Sequence, residues 1–339
     1  MPRAARLHAI RDLRLEDTAE PPPPPEGWST VAVTSVGICG SDLHWYAEGG
    51  TGEVTLDRPV VPGHEFGGVA LDGPHAGRRV AVDPAIPCDR CEQCRAGHAN
   101  LCPDVQFAGH GRLDGGLQER LPWPTRLLHP LPDALSDDAG ALLEPLGVAI
   151  HAVKIGHVRP GADVLVVGGG PIGVLVAPVA RRAGARRVFV SEPLEHRRRT
   201  ALRCGADAAW APADVGSGID EVTSGRGVDV VVEMAGSDDA LATAVTCARA
   251  GGRIAVGGIP STPQSAFPAA PARRKGLTFA MVRRMHGTYE QAIELATTDV
   301  DLDAVVSHRF ELSSAAEAFE TAAARTGDKT VVVVSESRH

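Results

Sequence analysis

Cys88, Cys91, Cys94 and Cys102 stand in one short run, PCDRCEQCRAGHANLCP, with two residues between each of the first three cysteines and seven before the fourth. Four thiolates this close in sequence can surround one zinc ion tetrahedrally, and Gly97 and the flanking prolines let the backbone fold around it. A site closed by four protein ligands holds a lobe together and does no chemistry. Chemistry needs an open site, and three further motifs bear on one: Cys39 in VGICGSDLH, His64 with Glu65 in PGHEFGG, and the turn GGGPIG far downstream. A thiolate and an imidazole together are borderline-soft ligands that suit zinc.

These residues must be placed by the elements around them. Cys39 follows a β run that predicts a strand over Thr30 to Val36, and Gly37 and Gly40 let the chain bend to present the sulfur. Neighbours in an extended strand point to opposite faces, so His64 and Glu65 share one ion only if the chain turns between them. Pro62, Gly63, Gly67 and Gly68 predict such a turn. Otherwise Glu65 orients the site from outside the ligand set.

Gly168, Gly170 and Gly173 form G-x-G-x-x-G directly after the strand ADVLVV, and Pro171 and Ile172 open the helix that follows. Backbone can then approach a pyrophosphate at the positive end of that helix. Glu192 ends the next strand, RRVFVS, 19 residues beyond Gly173. A carboxylate there accepts hydrogen bonds from ribose hydroxyls and repels a 2′-phosphate, which predicts NAD over NADP. Arg197, Arg198 and Arg199 weigh in the other direction.

At 339 residues the chain exceeds the size at which one core keeps growing, so two domains are expected. The texture changes near residue 150. Before it, short β-like runs such as RPVVPGHEFGGVA and GRRVAVDPA are separated by Gly and Pro, and Pro21 to Pro25 read as a rigid surface loop. From Ala162 strands and helices alternate, through VDVVVEMAG and GRIAVGG, which implies a doubly wound parallel sheet. Towards the end YEQAIELATT and SAAEAFETAAAR are amphipathic helices, and KTVVVVS is a strand suited to pairing with the first domain. There is no internal repeat.

A net charge of −8, with scattered arginines, argues against nucleic acid or an anionic membrane as partner. The cysteine segment EQCRAGHANLC likewise has little of the basic and aromatic character of a nucleic-acid binder. The first residues lack the apolar core of a signal peptide, and no run approaches the roughly 20 apolar residues that span a bilayer. A cytoplasmic location is expected, where thiols stay reduced and metal binding outweighs disulfides. Cys204 and Cys247 fall in helical patterns and read as buried core thiols.

Cys39 in GICGSDLH, PGHE at 62–65, the four-cysteine lobe, LLEPLGVAIHA at 142–152 and VVGGGPIG at 166–173 occur in order over nearly the whole chain. The sequence resembles the zinc-containing medium-chain dehydrogenases. It is most similar to their polyol branch, of the sorbitol, xylitol and L-idonate type, because Glu144 in LLEPLG stands where simple alcohol dehydrogenases carry a cysteine ligand. NLCPDVQF, AGALLEPL and SHRFELSSAAEAFETA match that branch too.

The resemblance implies an α/β protein: a β-rich GroES-like catalytic domain over 1–150 and 285–339, with a Rossmann domain of doubly wound parallel sheet over 151–284. It implies two zinc ions per chain, a homodimer or homotetramer, and a small alcohol or polyol as substrate. Cys39, His64 and Glu65 would hold the catalytic zinc, with Glu144 a ligand or bonded through the zinc water. Ser41 and His44, in CGSDLH, offer the proton a route to water, with Glu144 the other candidate. Arg197 and the glycine turn would bind cofactor, and Trp45, Phe107 and Arg283 would contact substrate. Arg284 stands where the family often has Tyr, and a second guanidinium there would suit a sugar-acid carboxylate. The other readings are a threonine or simple secondary-alcohol dehydrogenase, a zinc-independent quinone reductase, which both zinc signatures disfavour, and an NAD-binding redox sensor.

Overall fold

The computed structural model describes residues 1–51 and 54–335. The chain divides into two compact units, Met1–Glu144 with Tyr289–His339, and Pro145–Thr288.

The first unit is organised around the strand Trp28–Gly37, two residues longer at its start and one at its end than the sequence predicts. Seven strands form its main sheet, in the order Leu128–Pro130, Arg79–Val82, Glu65–Ala70, Trp28–Gly37, Lys329–Val333 and Val306–Glu311, with Arg120–Pro124 also paired to Trp28–Gly37. Val31, Val33, Val36, Phe66 and Trp123 are buried within this sheet's core. Lys329–Val333 runs antiparallel to Trp28–Gly37, with Val332 opposite Val36, so the last described strand completes the first unit.

Two helices carry site residues that the sequence patterns do not reveal as helical. Gly40–Glu48 starts directly after Cys39, whose extended backbone and position make it the N-cap. The Asp42 carboxylate, three residues on, accepts the Cys39 N–H at 2.9 Å, as in a capping box. Gly49, at φ 77°, ends this helix in the left-handed conformation. The helix Asp137–Ile155 continues past an internal Pro145. An internal proline costs about 3 kcal/mol. Leu142, Leu143, Leu146 and Ile150 are fully buried, and each such side chain contributes about 1.5–3 kcal/mol, so burial wins.

The second unit is a six-stranded parallel sheet in the order Ala208–Trp210, Arg187–Ser191, Asp163–Val167, Val228–Glu233, Ala248–Val256 and Thr278–Met281. Sequence order reverses between Asp163–Val167 and Val228–Glu233, the switch point at which open α/β sheets bind ligands. At the opposite end of the sheet Asp163, fully buried, receives bidentate pairs from Arg186 (3.1 and 2.7 Å) and Arg187 (3.0 and 2.7 Å). Burial alone would raise this carboxyl, but the hydrogen bonds from Arg187 and Arg186 outweigh it and hold it at about 2.

Among the described residues no helix is long and apolar enough to cross a membrane. Cys247 is buried as predicted, whereas Cys204 is only half-buried, because it lies just past the last turn of the helix Glu195–Arg203.

Candidate metal and nucleotide sites

Cys39, at the head of its helix, and His64 with Glu65, at the start of the strand Glu65–Ala70, converge so that their ligand atoms all lie within 4.8 Å of one another. The turn that this requires is present. Gly63 adopts φ 96°, and regular strand begins only at Glu65, so adjacent residues reach one point.

The surroundings fix each member. Asp42, fully buried, accepts from His64 Nδ1 at 3.2 Å and from the Gly63 N–H at 3.3 Å. Burial would lower the His64 imidazole, yet the Asp42 carboxylate and the Cys39 thiolate hold it well above its usual range. Ser41 Oγ lies 3.4 Å from His64 Nε2. His44, on the same helix, pairs with Glu48 at 3.0 Å.

Glu65 forms an ion pair with Lys329, both side chains being 1% exposed, and Lys329 Nζ also donates to the Ile38 carbonyl at 2.9 Å. Gly37 makes room for this pair, since a Cβ there would collide with the Glu65 carboxylate and the Lys329 stem. Glu144 is buried nearby. Burial pushes its carboxyl up to about 8, with Glu65 and Asp83 adding to the shift and His64 and Lys329 opposing it.

A thiolate, an imidazole and a carboxylate gathered around one point fit a divalent cation of zinc's character, and Lys329 offsets only one of the negative charges. Cys88, Cys91, Cys94 and Cys102 form the second convergent group. Cys91 caps the short helix Glu92–Arg95 and accepts the Cys94 N–H at 3.4 Å, while Cys102 accepts the Cys88 N–H at 3.4 Å. The Arg90 N–H directed at its sulfur lowers the Cys88 thiol, whereas burial and the neighbouring cysteines raise that of Cys94, so the four thiols titrate as one group.

Trp45 and Phe107 both lie in the first unit. Phe107 packs against the His64 ring with centroids 5.2 Å apart, and Trp45, 1% exposed, stacks on His110 at 5.4 Å. In the second unit Gly168 adopts φ 100°, and a Cβ on Gly173 would strike the Gly168 carbonyl, so the tight turn requires glycine at both positions. Glu192 Oε2 accepts the Gly169 N–H at 2.8 Å and Oε1 the Leu194 N–H at 3.0 Å. Arg197 Nη1 approaches Gly170, 3.9 Å from where a Cβ would sit, and Arg198 instead bonds the Glu192 and Pro193 carbonyls. Pro171 and Ile172 occupy the first turn of the helix Pro171–Arg182. Arg283 is exposed and Arg284 half-buried at φ 54°, both after the strand Thr278–Met281 of the second unit.

Sequence reasoning missed Asp42, Lys329 and His110. Asp42 had a signal, an acidic residue three positions after a cap, but Cys39 was weighed only as a ligand. Lys329 opens an apolar strand and resembles an ordinary boundary residue there. His110 stands alone in a glycine-rich segment.

The family model described as "Zinc-binding dehydrogenase" matches residues 171–298, and that of the "Alcohol dehydrogenase GroES-like domain" matches residues 25–133. Probable D-xylulose reductase A of Neosartorya fischeri is 36% identical over 96% of this chain and 95% of its own. The chain belongs to the zinc-binding dehydrogenase family with an alcohol dehydrogenase GroES-like domain. Two solved structures are similar in fold and sequence. One is 2R,3R-butanediol dehydrogenase from Bacillus subtilis, with TM-score 0.88, 29% identity and 99% and 100% of the two chains covered. The other is a zinc-binding dehydrogenase from Sinorhizobium meliloti bound to NADP, with TM-score 0.88, 30% identity and 98% and 99% covered.

Proposed function

We propose that this protein is a zinc-dependent dehydrogenase that oxidises a secondary alcohol of a polyol or sugar acid with NAD. The observation that carries the reading is the convergence of Cys39, His64 and Glu65, with the buried carboxyl of Glu144 beside them in place of a further thiolate. A relative named for xylulose and a structural neighbour named for butanediol support the substrate class.

Cys39, His64 and Glu65 would hold the zinc, with Glu144 a further ligand or a partner of its water. Bound there, zinc supplies Lewis acidity that makes an alcohol acidic at neutral pH, and NAD supplies the hydride acceptor. Asp42 keeps the His64 ring in one orientation through Nδ1. The Ser41 hydroxyl, buried beside His64, would take up the alcohol proton as it passes its own to His44, one turn along the helix, which releases it to water. Glu144 is the alternative route: burial pushes its carboxyl up to about 8, so it accepts the proton only in its ionised form.

Gly168, Gly170, Pro171, Ile172 and Gly173 would hold the pyrophosphate and Arg197 would pair with it, while Glu192 would bind the ribose hydroxyls and disfavour NADP. Trp45, Phe107 and Arg283 shape substrate binding, and Arg284 suits a carboxylate. Cys88, Cys91, Cys94 and Cys102 hold a second, structural zinc. A homodimer or homotetramer fits the edge strand Thr278–Met281, where Met281 is exposed, and a reducing cytoplasm fits two sites built from free thiols.

The test is the initial rate of NAD and NADP reduction by zinc-loaded protein over sorbitol, xylitol, ribitol, galactitol, L-idonate, threonine and simple secondary alcohols. Strong turnover of a polyol or sugar acid with NAD is expected. Preference for threonine or a simple alcohol overturns the substrate class, preference for NADP overturns the role of Glu192, and silence with zinc and NAD bound favours a redox sensor. Cys39→Ala should remove one zinc of two and nearly all turnover, whereas full activity in that variant refutes the metal assignment.

A further inference from the structure

We infer that Glu233 is a positioning residue of the cofactor site, its carboxylate tying together the main chain at 234–236 and 257–259 so that these two loops receive the nicotinamide half of the dinucleotide. This role presupposes the reading of the protein as an NAD-dependent dehydrogenase.

Glu233 ends the strand Val228–Glu233, opposite Val167 on one side and Val256 on the other, so it stands at the switch point where sequence order reverses. The residue is fully buried, and its Oε1 accepts the N–H groups of both Ala235 and Gly236, at 2.6 and 2.7 Å. Two successive N–H groups aimed at one oxygen are the arrangement of an anion-binding nest, and Gly236 at φ 71° supplies its left-handed member. Burial raises this carboxyl, and the N–H groups of Gly236, Ala235 and Gly258 oppose the rise. Here the chain's own carboxylate fills the nest, so the concavity fixes a loop.

The same residue joins the neighbouring loop. The N–H groups of Gly257 and Gly258 donate to the Glu233 carbonyl at 2.8 and 3.1 Å. A Cβ on Gly258 would collide with the Gly236 main chain and come within 2.8 Å of Glu233 Oε2, and one on Gly236 would collide with the Ile259 carbonyl. The two loops therefore touch through main chain, with Glu233 bonded to both. On its other side the first loop rests on the glycine turn, since a Cβ on Gly168 would come within 2.8 Å of the Ala235 nitrogen. Just past the tie Ile259 is 45% exposed, an apolar side chain left open beyond the carboxyl end of Ala248–Val256.

A dinucleotide on a doubly wound sheet crosses the switch point, with one mononucleotide over each half. Glu192 and the glycine turn belong to the half built from Asp163–Val167, Arg187–Ser191 and Ala208–Trp210. With the adenosine there, the nicotinamide faces the carboxyl ends of Val228–Glu233 and Ala248–Val256, the two ends that Glu233 joins. A ring that must present one carbon to a substrate needs walls already in place, and main chain fixed beforehand supplies them without an ordering cost at binding. A looser tie lowers the fraction of molecules whose loops are in position, and the apparent Kd rises by the inverse of that fraction.

The test compares two ligands of the zinc-loaded protein, NADH and ADP-ribose, the second of which lacks the nicotinamide ring. Glu233→Gln keeps the volume and one acceptor oxygen, but removes the charge and sets an amide donor towards Gly258. The Kd for NADH, by fluorescence titration, should rise about tenfold, while that for ADP-ribose, by calorimetry, should change by less than about twofold. The kcat/KM for NAD should fall in step with NADH affinity. Gly236→Ala, which strikes the Ile259 carbonyl, should shift the ratio of the two Kd values in the same direction, and it decides the matter if Glu233→Gln does not fold. A ratio unchanged in the variants, whether both affinities fall together or neither moves, would overturn the role of Glu233 alone. A wild-type protein that binds neither NADH nor ADP-ribose would overturn the proposed cofactor, and the role of Glu233 with it.

Discussion

At the scale of single residues, the convergent groups were legible because metals select few side chains and the spacing of these is read directly from the chain. Cys39, His64 and Glu65 are brought together, and the glycine bend before Cys39's helix and the Pro62–Gly63 turn that present them were visible in the sequence. What was not legible is the charge that accompanies them. Lys329 lies far along the sequence from Glu65, and only the pairing of Lys329–Val333 with Trp28–Gly37 brings them into contact. Breaking a buried ion pair by removing one partner leaves a charge without solvent or counterion. In the metal-free protein Lys329→Met should therefore be destabilising by about 3–5 kcal/mol, measured by denaturant unfolding, and it should change the zinc affinity of the Cys39 site in a chelator competition. Lys329→Arg should restore part of both. Unchanged stability in Lys329→Met would mean that Glu65 finds other partners.

At the scale of elements, period and punctuation revealed the parallel sheet and the glycine turn but concealed the helix Asp137–Ile155. Its internal Pro145 resembles a stop signal, and only the burial of its leucines shows why the helix continues. The glycine turn makes a sharp prediction. Gly173→Ala places a methyl group against the Gly168 carbonyl, so it should weaken NAD binding by at least tenfold in a fluorescence titration while leaving both zinc ions in place. The charged end of the same sheet makes another. Asp163 titrates at about 2 when folded and at about 4 when unfolded, so its stabilisation is complete above about pH 4 and is lost as the pH falls towards 2. Asp163→Asn should cost about 2 kcal/mol at pH 7, and its unfolding midpoint should fall less steeply than that of the wild type between pH 4 and 2. Equal acid sensitivity in the two proteins would assign the effect to other carboxylates.

At the scale of the whole molecule, the change in texture near residue 150 and the return of β character at the end indicated two folding regions, and the discontinuous unit is the one that carries both thiol groups. The second unit is a single stretch of chain, Pro145–Thr288, with its own parallel sheet. Deleting Lys329–His339 removes one of the three strands paired with Trp28–Gly37 and the cation at Glu65. The truncated chain should retain NAD binding by calorimetry, hold one zinc fewer by elemental analysis, and show no alcohol oxidation. A deletion that keeps full zinc would show that the strand is dispensable for the metal group. The same arrangement orders events during synthesis. Cys39 leaves the ribosome about 290 residues before Lys329, roughly 15–60 s earlier at ordinary elongation rates. Until the last strand arrives Cys39 sits beside a sheet that lacks one strand, so a metal held by Cys39, His64 and Glu65 would be loaded late in synthesis.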